Sequence, residues 1–181
     1  MKPAPYVAPT SGTTYFYEGL SNTITAVDGW RTEFTDGQGR EGARLALFIT
    51  DTPQQPVEVD SATLGDLWPL DVNNTSVVKV HRGPEVWRLD FRVTRTQNIT
   101  VPAGTFDTYV VQAVETPELV RDPQSASTAM YTWWYAPEVA AVVRFRTSYL
   151  TGPATGRVVE SSLNRIELPQ QASVNEVGET G

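Results

Sequence analysis

The sequence predicts an all-β fold, a single antiparallel meander of about ten strands with very little helix, bent into a half-barrel, a barrel or a sandwich. Three observations carry this expectation. Successive short segments alternate apolar and polar residues with the two-residue period of a half-buried strand. The 13 Gly and 13 Pro fall between those segments, where they punctuate turns. Helical periodicity is confined to one short stretch.

Taken in order, residues 1–12 carry Pro3, Pro5 and Pro9 and read as a Pro-rich extended arm. The β domain is expected over residues 13–168. Asp28-Gly29 separates Leu20–Val27 from Trp30–Phe34, a two-residue hairpin turn whose positions must accept positive φ. Asp36-Gly37-Gln38-Gly39 marks the next turn. Gly42–Thr50 then alternates Ala43, Leu45, Leu47 and Ile49 against Arg44, Ala46, Phe48 and Thr50, as one central strand with apolar residues on both faces. The only helical candidate is Ser61–Leu67, with Ser61 placed to cap it and Pro69 disfavouring helix at Trp68.

Glu85–Thr94 is the clearest alternating segment, with Trp87, Leu89, Phe91 and Val93 on one side and Arg88, Asp90, Arg92 and Thr94 on the other. Thr96–Val101 continues it to the turn Pro102-Ala103-Gly104-Thr105, and Phe106–Glu115 returns. Thr128–Tyr135 turns at Ala136-Pro137-Glu138 into Val139–Leu150. Gly156–Leu168, long and polar, reads as a sheet edge or water-facing strand. Residues 169–181 read as a flexible acidic tail.

Composition narrows the functional classes. The 181 residues hold 40% hydrophobic and 10% aromatic side chains, a globular balance that needs one core. A net charge of −7 with 14 Lys and Arg offers no footprint for nucleic acid. The absence of cysteine removes thiol nucleophiles, cysteine zinc sites and lipidated mature N-termini. No apolar run reaches the roughly 20 residues of a membrane helix, and the start lacks a secretory signal. The chain is therefore either cytoplasmic, or Met1 stands in place of a removed signal peptide.

Catalytic constellations are not evident. The one histidine, His81, has no Gly-x-Ser-x-Gly elbow or other marked nucleophile beside it, so it reads as an exposed, non-catalytic side chain. The acid pairs Glu58/Asp60, Asp66/Asp71 and Glu115/Glu118 read as solvated surface charges rather than glycosidase carboxylates. Residues 36–41 lack the repeating oxygens of a calcium loop, and Gly37-Gln38-Gly39 has no following helix with which to hold phosphate. The expectation is no enzyme, no metal and no cofactor.

Aromatic clusters are the remaining signal. Tyr15-Phe16-Tyr17 and Tyr131, Trp133, Trp134 and Tyr135 must project rings from both faces of their strands. Such rings either fill a two-sided core or line a concave groove for a lipid, a sugar or a partner segment. The groove reading nominates Trp87, Trp133 and Tyr149 as ligand-binding.

Two motifs carry a resemblance across roughly residues 13–168. Val101-Pro102-Ala103-Gly104-Thr105-Phe106-Asp107 and Trp134-Tyr135-Ala136-Pro137-Glu138-Val139, with Trp68-Pro69-Leu70 before them, resemble motifs of a family of bacterial envelope proteins of unknown function, many secreted or lipoproteins. The resemblance implies an antiparallel β structure similar to the lipoprotein-carrier half-barrels, without known catalytic residues. The sequence departs from the family at Ala140, where Gly is usual, and in lacking a lipobox cysteine. Together these readings lead to a non-enzymatic protein of the periplasm or cell envelope, acting as an accessory subunit on another envelope protein through its sheet edge and termini. The alternative is a carrier for a lipophilic or saccharide ligand.

Overall fold

Among the described residues, twelve strands form one sheet in the order β5-β4-β3-β2-β1-β12-β11-β10-β9-β8-β7-β6. This computed structural model describes residues 1–59 and 61–169, without the side chains of Ser61 and Ala62. The acidic tail from Gln170 onward, Asp60 and the expected Ser61 cap therefore lie outside the described residues. The first meander comprises β1 (Thr14–Tyr17), β2 (Leu20–Asp28), β3 (Arg31–Asp36), β4 (Glu41–Leu45) and β5 (Ile49–Asp51). The second comprises β6 (Glu58–Val59), β7 (Thr75–Arg82), β8 (Glu85–Val101), β9 (Gly104–Leu119), β10 (Ala129–Ala136), β11 (Ala141–Tyr149) and β12 (Val158–Glu167). One short helix, α1 (Ser61–Gly65), follows β6.

Every strand pairing is antiparallel, and most join sequence neighbours. The exception decides the architecture. β1 pairs with β12, from Thr14 opposite Glu167 to Tyr17 opposite Leu163, and this stitches the two meanders into one sheet. β5 and β6 are its two edges and do not pair with each other, so the sheet is open rather than a closed barrel. Both edges are very short, three and two residues, which limits their value as templates for further pairing.

Curvature is visible in which rings meet. The Phe48 ring, just before edge strand β5, lies 5.2 Å from Trp133 of β10 and 6.2 Å from Phe91 of β8. Those strands are remote in the sheet order, so the β5 side is folded across the concave face of the second meander. The apolar alternation supplies the interior: Leu89, Phe91 and Val93 of β8 and Tyr109, Val111 and Ala113 of β9 are all buried. A second buried cluster joins Tyr15, Tyr17, Ile24 and Phe34 to Ile99, Phe106, Val143 and Leu163. The Tyr15 and Tyr17 hydroxyls donate across it to the Val139 and Val142 carbonyls, each at 2.9 Å.

Three sequence expectations change. Gly42–Thr50 is not one central strand: it breaks after Leu45, where Ala46 and Leu47 take positive φ of 45° and 71°. The Ala46 amide turns to the Trp30 carbonyl at 2.7 Å, and the chain re-enters at the sheet edge as β5. Alternation continues through this corner in the sequence, which hides it. Gly156–Leu168 is not an edge, because β12 is paired on both sides by β1 and β11, although many of its side chains face water. The first hairpin is shifted by one residue, since Asp28 pairs with Arg31 and the turn is Gly29-Trp30.

The Pro-rich arm returns to its own chain. The Ala4 and Leu70 amides and carbonyls exchange hydrogen bonds of 2.9 and 2.7 Å, and the Tyr6 ring sits 4.7 Å from Trp30 and 5.2 Å from Trp68.

Candidate functional site

A cavity of about 400 Å³ lies within the concave face. Its apolar wall comes from both meanders: Leu89, Trp133, Val142 and Phe145 on one side, Tyr17, Leu20 and Phe34 on the other. Leu47, Phe48 and Ile49, from the corner that leads into β5, complete the lining. The inward positions of β8 and β10 are set by alternation, and the register shift between Trp134 and Tyr135 lets Val142 and Phe145 of β11 both contribute.

Two charged groups interrupt this wall, and Thr50, Gln55 and Thr147 also line it. In the first, Arg82 Nη2 approaches Glu115 Oε1 at 2.5 Å, while the Tyr131 hydroxyl donates to Glu115 Oε2 at 2.5 Å. Glu115 is only 4% exposed, so its charge relies on these two neighbours. The guanidinium also sits over the Trp87 ring, 5.2 Å from its centroid. Arg82 Nε and Glu115 Oε1 are buried without a well-aligned hydrogen bond, so the ion pair is close but not fully satisfied. Burial, followed by the Glu115 charge, pushes the Tyr131 phenol far above its ordinary pKa. It therefore stays protonated and donating at neutral pH.

The second group is centred on Arg44. Its guanidinium carbon lies 5.3 Å from the Phe34 ring centroid and 5.9 Å from that of Tyr17. With the Asn22 amide oriented to satisfy both neighbours, its oxygen accepts from Arg44 Nη2 at 2.7 Å and its nitrogen donates to the Ser21 carbonyl at 3.0 Å. Asp36 also reaches the cavity, but its carboxylate takes the Arg40 Nε at 2.7 Å and the Gln38 and Arg40 amides at 2.9 Å. These bonds, that from the Arg40 backbone foremost, hold the Asp36 carboxyl below its usual range.

Of the rings nominated from sequence, Trp133 stands in the cavity wall, stacked on Tyr131 at 5.4 Å and on Phe91 at 5.8 Å. Trp87 stands behind Arg82 rather than in the lining, and Tyr149 lies beneath Arg157, 6.0 Å from its guanidinium carbon. The structure overturns one reading: Glu115 is not a solvated surface charge but a buried ion-pair member. Its signal was present, since it continues the inward series Tyr109, Val111, Ala113 along β9. Arg82 likewise follows Ser76, Val78 and Val80 on the inward side of β7. Asn22 and Arg44 were also missed.

His81 is exposed on β7, as are Asp66 and Asp71 in the segment beyond α1. Among the described residues, no group of three or more His, Asp and Glu converges in a way that could hold a metal ion.

No protein-family model and no curated protein matches the sequence. Solved structures do match in fold. A protein of Parabacteroides distasonis ATCC 8503, named a "putative lipoprotein", is 16% identical with a TM-score of 0.50, over 92% of this chain and 100% of that one. The hypothetical lipoprotein YmcC from Escherichia coli (K12) is 12% identical with a TM-score of 0.55, over 87% of this chain and 85% of its own. At such identities the likeness is one of fold, and it spans nearly the whole of this open, curled sheet.

Proposed function

We propose that this chain is a non-enzymatic binding module of the bacterial envelope that holds a lipophilic ligand in the concavity of its sheet. One observation carries the reading: a cavity of about 400 Å³, within the range of small-molecule sites, walled by Trp133, Phe145, Phe48 and aliphatic side chains. The contiguous Trp133, Phe145, Phe48, Leu89 and Val142 side chains suit a hydrocarbon-bearing ligand, which needs no polar partner along its length. The envelope assignment draws on the neighbours, which are lipoproteins by name. An accessory role through the N-terminal arm is the weaker reading, because Ala4 and Tyr6 are engaged on the chain's own core.

Titration with the neutral fluorescent probe N-phenyl-1-naphthylamine tests this. Saturable one-to-one binding is expected, weakened at least about tenfold by Val142→Trp, whose added ring volume fills the cavity. Binding that does not saturate, or that ignores this substitution in a folded variant, would overturn the proposal.

A further inference from the structure

We infer that the ligand carries an anionic group and that Arg44 is the residue that receives it, an inference that rests on the lipophilic-carrier reading. Among the described residues the cavity wall contains two carboxylates, Asp36 and Glu115, and two guanidiniums, Arg44 and Arg82. Each carboxylate is already matched. Arg40 and two backbone amides hold Asp36, while Arg82 and the Tyr131 hydroxyl hold Glu115. Arg44 is left with no carboxylate partner among the described residues.

The wall thus carries one guanidinium without a direct ion-pair partner among the described residues, in a chain whose net charge is −7. The neutral neighbours of Arg44 orient it without cancelling it. Asn22 accepts from Nη2, and the Tyr17 and Phe34 rings flank the guanidinium carbon. A guanidinium presents five N–H donors in a planar fork, so donors remain for a bidentate acceptor. If its role were only to pack against the two rings, a neutral side chain would avoid the cost of holding a half-buried, unpaired charge. The lining therefore fits an amphiphile whose tail lies against Trp133, Phe145 and Val142 and whose head is a carboxylate or phosphate monoester.

The test compares dodecanoate and dodecyl phosphate, below their micellar concentrations, with dodecanol, below its solubility limit, at near-neutral pH in displacing N-phenyl-1-naphthylamine. The protein variants are wild type, Arg44→Gln, Arg44→Lys and the outward-facing control Arg146→Gln. At least one anion is expected to bind about tenfold or more tightly than the alcohol, the fork geometry adding to charge. Whichever anion leads identifies the head as a carboxylate or as a phosphate. Arg44→Gln should bring both anions to the level of dodecanol without changing dodecanol itself; Arg44→Lys should retain part of the preference, and Arg146→Gln all of it. Equal binding of the three ligands to wild type would overturn the assignment of the head group and leave the carrier reading standing. A preference that survives in Arg44→Gln would also overturn it, placing the anion elsewhere. Failure of all three ligands to displace the probe would remove the carrier reading as well.

Discussion

Arg82 Nη2 meets Glu115 Oε1 at 2.5 Å inside the concave face, where Glu115 has almost no access to water and Arg82 is only partly covered. A pair in this setting offsets two desolvation costs with one short contact, so its net worth is small and the penalty for breaking it is large. Glu115→Ala should therefore destabilise the protein by about 3 kcal/mol in urea unfolding, because it strands the Arg82 cation. Removing both charges together, as Arg82→Met with Glu115→Leu, should recover most of that loss. A double variant no more stable than Glu115→Ala would show that packing, rather than charge, is what Glu115 supplies.

Alkaline stability follows from the tyrosines. Burial is the largest cause raising the pKa of Tyr15, Tyr17, Tyr131 and Tyr135 above the ordinary phenol value. For each, the folded pKa exceeds the unfolded value of about 10, so the stabilisation is complete below that pH and declines above it. The unfolded chain then loses protons that the native chain keeps. Each such phenol should lower stability by about 1.4 kcal/mol per pH unit above about pH 10. Urea midpoints should accordingly fall steeply between about pH 10 and pH 11, and Tyr131→Phe should reduce that slope by one proton's share. Absorbance titration should show these phenols ionising only as the fold is lost. Reversible ionisation of all 7 tyrosines in a still-folded protein would contradict the burial argument.

Several hairpins were legible because each is local: alternation fixes the strands, and Asp36-Gly37-Gln38-Gly39 or Pro102-Ala103-Gly104 fixes the turn between them. What could not be read were the non-local or cryptic features. Nothing in residues 14–17 announces that they pair with residues 163–167, yet that pairing makes one sheet of two meanders. The corner at Ala46-Leu47 contains neither Gly nor Pro, so no turn residue marks it. Trp133 stood out as a large ring, whereas Arg44, Arg82 and Glu115 resembled the charges of any water-facing strand until curvature turned their faces inward.

Ala140 closes the short 3-10 turn Pro137–Val139 in the left-handed region, φ 48° and ψ 39°. Left-handed backbone costs a Cβ-bearing residue about 1–2 kcal/mol. Glycine forfeits about 0.5–1 kcal/mol of that gain through its greater unfolded-state entropy. Ala140→Gly should thus raise stability by about 0.5–1 kcal/mol, read as a higher urea midpoint at unchanged m-value. A lower midpoint would mean that the buried Ala140 methyl contributes more than its backbone costs.

Phe48 ties the β5 edge to the rest of the molecule, and its loss should act locally. Its ring lies within 6.5 Å of Trp68, Phe91, Trp133 and Tyr135, and the chain reaches it through the two positive-φ residues Ala46 and Leu47. Strand pairing adds little to this corner, because β5 is three residues long and has a strand neighbour on one side only. Phe48→Ala should cost about 3–5 kcal/mol through lost burial and the void it leaves. That cost should fall unevenly: amide hydrogen exchange at β4 and β5 should accelerate, while the long β8–β9 hairpin keeps most of its protection. In the same variant the neutral probe should enter and leave faster, since Phe48 belongs to the cavity lining that the free edge carries. Equal acceleration of exchange in β5 and in β8 would show instead that this corner is an integral part of one cooperative core, and that opening it requires unfolding the whole sheet.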